Sequence, residues 1–284
     1  MEALPEHLDV DLHAAELRGS IDGDVLTVTI DNPGKRNALT TQGYHGIKRA
    51  AMIVADEPGL QFLVVTGTGD TFCAGGDMSS VSPGERTYDS FTDVYDATPF
   101  ETLSRIPKIV VCKVNGTALG GGLVMTLYAD LVIASDRSRF RVPELTRGVA
   151  ETYVAARLPA RVGSLHANHL FYGNDWVDAG EAFAMGLVGQ VVPHDDLDGA
   201  TGALLERVRR TGPVARAVVK RQMNRQLPVP DQPGMWESMG TAEQADAFRA
   251  FLDKRDPEWT HDHARDGFIE RVRRPLWMPV SDDG

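Results

Sequence analysis

Leu26, Val28 and Ile30 alternate with Thr27 and Thr29 just after the turn Ile21-Asp-Gly-Asp24. That two-residue period predicts a half-buried strand, the second arm of a hairpin entered through Ala15 to Arg18. Thr40 or Thr41 can cap a helix running to about Ala55, and Phe62-Leu-Val-Val-Thr66 is a short apolar strand ending in a glycine-rich turn. The pattern then recurs: a helix around Phe91 to Leu103, the strand Ile109 to Val114, a glycine run, a helix from about Gly121, and the strand Leu131 to Ala134. Alternation of this kind builds an α/β core.

After Val191-Val192 the period changes. Asp195 to Arg210, Pro213 to Arg225 and Met235 to Asp253 are helical in pattern with no strand between them, and the proline-rich stretch Gln226 to Gly234 breaks the series. The chain therefore divides into an α/β core over residues 1–194, a helical region over 195–257 and a charged tail over 258–284.

Composition narrows the functional classes. The 284 residues are 42% hydrophobic and 24% charged, which is the balance of a globular protein, and no apolar run approaches the roughly 18 residues of a membrane span. The acidic N-terminus lacks the basic and apolar regions of a secretory signal, so a cytoplasmic location is expected. A net charge of −11 argues against nucleic-acid and membrane surfaces, so an anionic ligand needs a local basic patch. Cys73 and Cys112 lie in apolar segments and are expected to be buried, reduced thiols. The pairs His166/His169 and His261/His263 lack a third clustered ligand, so no metal site is expected.

The chemistry lies in two glycine-rich stretches, Thr71-Phe-Cys-Ala-Gly-Gly-Asp-Met78 and Val114-Asn-Gly-Thr-Ala-Leu-Gly-Gly-Gly-Leu123. Each follows an apolar strand and opens toward a helix, where backbone N–H groups have no intrahelical partner and glycine lets a ligand approach closely. Neither has P-loop spacing or a dinucleotide fingerprint. Such turns suit an oxyanion. The plainer alternative is that the glycines only permit tight packing.

Taken with NPGKRNAL, ADLVIAS, FRVPELTRG and AFRAFLDKRDPEW, these stretches resemble the enoyl-CoA hydratase/isomerase (crotonase) superfamily from about Leu26 to Pro257. The resemblance implies a spiral of ββα turns with a helical C-terminal trimerisation region, and a homotrimer or dimer of trimers. It implies an acyl-CoA thioester substrate and no metal or redox cofactor. It places the two oxyanion amides on Gly76 and Gly121, and it makes Asp77 a helix cap. It places CoA-phosphate contacts on Lys35 and Arg36, and on Lys254 and Arg255 reaching a neighbouring subunit. As residues alone, these four are equally readable as solvated surface charges.

Hydratases of the family carry two glutamates. The second is present as Glu144, but Val124 stands in place of the first, at the unchanged spacing 144 − 124 = 20. Hydration wants two carboxylates, whereas one can carry a proton from C2 to C4 while an oxyanion site holds the dienolate. Isomerisation of 3-enoyl-CoA to 2-enoyl-CoA is therefore the first expectation. A weak or specialised hydratase and a noncatalytic acyl-CoA-binding protein are the alternatives. Glu151, in the loop-like stretch Ala150 to Leu158, is a candidate second acid, or else an i,i+4 partner of Arg147. Phe91, Tyr95 and Phe100 either line the acyl pocket or belong to the core.

Overall fold

A computed structural model describes residues 7–77, 98–239 and 241–259. The predicted hairpin is β2 (Leu17–Asp22) and β3 (Val25–Ile30), antiparallel, with β1 (Leu8–Val10) on its outer edge. Leu26, Val28 and Ile30 all point into the core, as their period requires. Beyond the hairpin the strands go in pairs. β4 (Phe62–Gly67), β6 (Ile109–Val114), β8 (Leu131–Ser135) and β11 (Gln190–Val192) run parallel and extend the hairpin into a seven-stranded sheet, β1-β2-β3-β4-β6-β8-β11. The short strands β5 (Thr71–Cys73), β7 (Thr117–Leu119), β9 (Arg139–Arg141) and β10 (Val177–Asp178) form a second sheet in the order β10-β9-β7-β5. Three successive turns of chain, β4-β5, β6-β7 and β8-β9, each give one strand to each sheet before a helix, which is the expected ββα spiral.

The helices are α1 (Thr41–Asp56), α2 (Pro99–Arg105), α3 (Gly121–Tyr128), α4 (Thr152–Asn168), α5 (Ala179–Ala184), α6 (Leu197–Arg209), α7 (Pro213–Arg225), α8 (Gln232–Ser238) and α9 (Ala242–Asp253). Thr40 caps α1 by accepting from the Gly43 N–H at 3.1 Å, and Thr98 closes a capping box with Glu101 at α2. The part of the predicted Phe91 to Leu103 helix before Thr98, with Phe91 and Tyr95, lies outside the described residues; Phe100 is a buried core residue. One core fills the space between the sheets and the helices. A smaller one packs Phe62, Val64, Val111 and Ile133 of the large sheet against Leu197 and Leu205 of α6. β4 is consequently buried on both faces and reads as an unbroken apolar run.

Two elements differ from expectation. The single helix predicted over Met235 to Asp253 is two, because Thr241 accepts from the Gln244 N–H at 3.1 Å and starts α9 afresh, while α8 begins inside the proline-rich stretch. The loop-like Ala150 to Leu158 is the first part of α4, whose N-cap is Glu151. No described helix is long and apolar enough to cross a membrane.

Candidate active site

The first glycine turn is held by the segment that precedes α1. The Leu39 N–H donates to the Gly75 carbonyl at 2.9 Å, the Asp77 N–H to the Leu39 carbonyl at 2.8 Å, and the Ala74 N–H to the Arg36 carbonyl at 3.2 Å. Gly76 bridges Leu39 in parallel, so its own N–H faces away from that short ladder. Two buried amides lock the approach. Asn37 donates to the Thr68 and Thr71 carbonyls (2.9 and 2.6 Å), and Asn115 to those of Gly69 and Thr71 (2.6 and 3.2 Å). Gly75 has φ +91°, a conformation side chains resist.

The second turn ends in Gly120, Gly121 and Gly122, and each is glycine for a different reason. A Cβ on Gly120 would overlap Glu144 Oε1, one on Gly121 the Tyr44 hydroxyl oxygen, and one on Gly122 the Cys73 carbonyl oxygen. Gly121 is the first residue of α3, so its N–H has no intrahelical acceptor. A Cβ built on Gly75 would lie 3.3 Å from the Gly121 nitrogen, so the two turns touch. The structure therefore brings together the turns that carry Gly76 and Gly121, with Glu144 Oε1 against Gly120.

Glu144 opens a short 3-10 helix, Glu144–Arg147, that Gly148 terminates in the left-handed conformation. Its Oε2 is enclosed and has no hydrogen-bond partner. Burial first, and then the charge of Glu151, push its carboxyl up to about 8. Glu151 is also buried and pushed up to about 7 by desolvation, against hydrogen bonds from the Tyr153 and Val154 N–H groups that pull it down. As N-cap of α4 it accepts from Tyr153 N–H at 3.0 Å. The two carboxyls titrate as a pair that holds a proton near neutral pH. The alternative Arg147 to Glu151 pair does not form: Gly148 separates the two elements, and Arg147 stacks over Phe251 at 4.1 Å. Val124 is fully buried on α3.

The basic residues lie in other settings. Lys35 sits in a 3-10 turn with its ammonium 2.6 Å from Asp77, and Arg36 is exposed beside it. Asp77 is thus the acceptor of a lysine; the helix it was expected to cap lies outside the described residues. Lys254 is the left-handed C-cap of α9, and Arg255 is bound to Asp246 of the same helix at 2.6 Å. Cys73 and Cys112 are both free and buried, and burial pushes their thiols up, Cys73 to about 12. Among the described residues no three His, Cys, Asp or Glu side chains gather as a metal site, and His261 and His263 lie outside them.

Sequence reasoning did not single out Tyr44. It follows closely on the NPGKRNAL stretch but belongs to no motif, and only the packing of α1 under the glycine run brings it there. Of the aromatic group below the site, sequence reasoning named only Phe100, which meets Tyr44 and Tyr153 edge-on at 5.5 and 5.4 Å and Tyr128 at 6.2 Å.

The fold and this arrangement define an α/β protein in which two glycine turns meet beside a glutamate whose Oε2 is enclosed. The profile of the enoyl-CoA hydratase/isomerase family matches residues 20–262, and the chain belongs to that family. It is 29% identical over 251 residues to a probable enoyl-CoA hydratase (echA8) of Mycobacterium bovis, covering 84% of this chain and 96% of that one. It is 30% identical over 235 residues to a crotonyl-CoA hydratase of Syntrophomonas wolfei, covering 80% and 90%. A carnitinyl-CoA hydratase structure from Mycobacterium avium superposes with a TM-score of 0.74 at 27% identity, over 90% of this chain and 98% of that one.

Proposed function

We propose that the protein isomerises 3-enoyl-CoA to 2-enoyl-CoA. The observation that carries this reading is the enclosed, unpartnered Oε2 of Glu144 on a carboxyl poised near neutral pH, set against Gly120 where the two glycine turns meet. In this reaction the Glu144 carboxylate takes the proton at C2, and the electron pair of that bond becomes part of a dienolate. The charge collects on the thioester oxygen, which accepts from the Gly76 and Gly121 N–H groups. Glu144 then returns the proton at C4, and no metal or redox cofactor takes part. A carboxyl whose two forms are close in energy suits both halves of the transfer. The fully buried Val124 helps keep water away.

Hydration of a 2-enoyl-CoA is the second reading, and one observation favours it: Glu151 supplies another buried carboxyl with a raised pKa, which can share with Glu144 the activation of water. The names of the relatives above agree with that chemistry. Lys35, Arg36, Lys254 and Arg255 are assigned to the CoA phosphates. The exposed apolar residues Val214, Val218 and Met223 of α7 and Phe251 and Leu252 of α9 support subunit association as trimers. The test is to incubate the protein with panels of 2-enoyl- and 3-enoyl-CoA in D2O, following isomerisation, hydration and deuterium uptake together. Faster hydration than isomerisation across both panels selects the second reading. Tight acyl-CoA binding with no exchange or turnover of any kind makes the chain a binding protein.

A further inference from the structure

The two glycine turns share a neighbour. The Tyr44 hydroxyl oxygen occupies the space that a Cβ on Gly121 would need, and it lies 3.9 Å from where a Cβ on Gly76 would be. One hydroxyl therefore neighbours the Cβ side of both residues whose N–H groups are assigned to the proposed oxyanion, closely at Gly121 and at van der Waals distance at Gly76. Tyr44 reaches this point from the first turn of α1, only 7% exposed, with its ring edge-on to Phe100 at 5.5 Å and 73°. Phe100 is itself wedged against Tyr128 and Tyr153. A ring packed in this way presents its hydroxyl from a fixed position, which is what an electrostatic contribution to a transition state requires.

We propose that Tyr44 is a third polar group of the oxyanion site, its hydroxyl donating to the thioester oxygen as that oxygen takes up enolate charge. The inference rests on the acyl-CoA reading above. The phenol keeps its proton throughout; the proton taken from carbon goes to Glu144, and the electron pair it leaves becomes the enolate. The hydrogen bond tightens as charge develops, so its effect falls on the rate rather than on substrate binding. It also explains why Gly121 must lack a side chain: the hydroxyl fills that space.

Tyr44→Phe in the full-length protein tests this, because it keeps the ring against Phe100 and removes only the hydroxyl. The readouts are turnover of a 3-enoyl-CoA and deuterium exchange at C2 of a saturated acyl-CoA. Both should fall about tenfold to a hundredfold, the lower end of what one oxyanion donor contributes, with KM within twofold and the melting temperature within a few degrees. A purely packing role moves KM and the melting temperature and leaves kcat within twofold, and that result overturns the proposal. If Tyr44→Phe unfolds, 3-fluorotyrosine at position 44 keeps the shape and makes the phenol a stronger acid. An exchange rate that responds to the fluorine supports the contact, and an unchanged rate overturns it. The two levels of inference fail differently. A wild type that exchanges no deuterium with any acyl-CoA defeats the acyl-CoA reading itself; exchange that Glu144→Gln stops and Tyr44→Phe leaves untouched defeats only the Tyr44 proposal.

Discussion

Two of the buried ionisable centres among the described residues are treated in opposite ways. Beneath α7, Lys220 donates to the Leu103 carbonyl at 2.9 Å, the Lys108 carbonyl at 2.8 Å and Asp130 Oδ2 at 2.7 Å, so each of its three protons has an acceptor. Asp130 accepts as well from the Val110 N–H at 2.8 Å. Desolvation works against both charges, lowering the lysine's pKa and raising the aspartate's, and their mutual attraction opposes it. In the glycine-lined site Glu151 is buried and Glu144 half-buried, no cation among the described residues is bonded to either, and the enclosed Glu144 Oε2 has no hydrogen-bond partner among them. A satisfied charge pins α7 to the sheet and has no capacity left for a ligand. An unsatisfied one is a cost to the fold that makes sense where a substrate supplies the missing partner.

The largest expected effect breaks the second of these centres. Glu144→Gln keeps the size and removes the proton carrier, and should lower turnover and deuterium exchange by about 10²–10⁴, with acyl-CoA affinity within a few fold. Stability should hold or rise, because a neutral amide replaces a carboxyl that the site disfavours in its charged form. Single-turnover kinetics and a thermal melt on the same sample check both halves. Near-normal turnover removes Glu144 from the mechanism.

Breaking the first centre should give the mirror image. Lys220→Ala strands Asp130 in a dry interior, and removing one partner of a buried pair costs about 3–5 kcal/mol. Urea unfolding measures the loss, while kcat per folded site should stay within twofold. Unchanged stability with lost activity would falsify the division between the two centres.

The alternating α/β order was legible because its signals are local, whereas the ββα spiral was implied by the family resemblance. Alternation in Leu26 to Ile30, an apolar run at Phe62 to Thr66 and glycines after each strand are read within a few residues, and the structure places those elements within a residue or two. Gly76, Gly121 and Glu144 were singled out through the family resemblance, and the turns that carry the two glycines lie against each other, with Glu144 Oε1 at Gly120. The role of Glu151 as a cap was obscured because a carboxylate before Thr152-Tyr153 reads equally as loop, acid or ion-pair partner. Tyr44 and Lys220 were not legible. Tyr44 looks like one more apolar position of an amphipathic helix, and Lys220 lies in a run with Arg221 and Arg225 that reads as a solvated face. What distinguishes each is a contact made by residues 77 and 90 positions away in sequence, with Gly121 and Asp130 respectively.

A pH series sharpens the comparison. Burial raises Glu144 from its ordinary 4.5 to about 8, so the folded state holds a proton that the unfolded chain has released across that interval. The stability tied to this proton is complete below 4.5 and is lost as pH rises toward 8, which gives unfolding free energy a downward slope there. Glu144→Gln should make that slope shallower, leaving the part due to Glu151, and leave the variant more stable than wild type above pH 8. Urea midpoints from pH 5 to 9 report it, and parallel curves for the two proteins would mean that the Glu144 carboxyl is ionised in the fold.

The smallest effect concerns the basic residues assigned to CoA, and the same distinction between engaged and available groups ranks them. Arg255 is held by Asp246, which raises its pKa, and Lys35 is held by Asp77, whereas Lys254 forms no ion pair with another described residue. A phosphate must displace a carboxylate to reach Arg255, so part of the new contact is offset by the one given up. Lys254→Ala should therefore raise KM for a CoA ester by several fold and Arg255→Ala by less, with kcat nearly unchanged in both, since phosphate contacts far from the reacting carbons act about equally in ground and transition states. The control is a pantetheine thioester, which lacks the nucleotide phosphates and should be insensitive to either change. If the short thioester suffers as much as the full ester, these residues act on the fold or on subunit contacts. A larger loss for Arg255→Ala than for Lys254→Ala would mean that the Asp246 pair orients the guanidinium for phosphate instead of competing for it, and the exposed pair on α9 would then belong with the prearranged groups of the site.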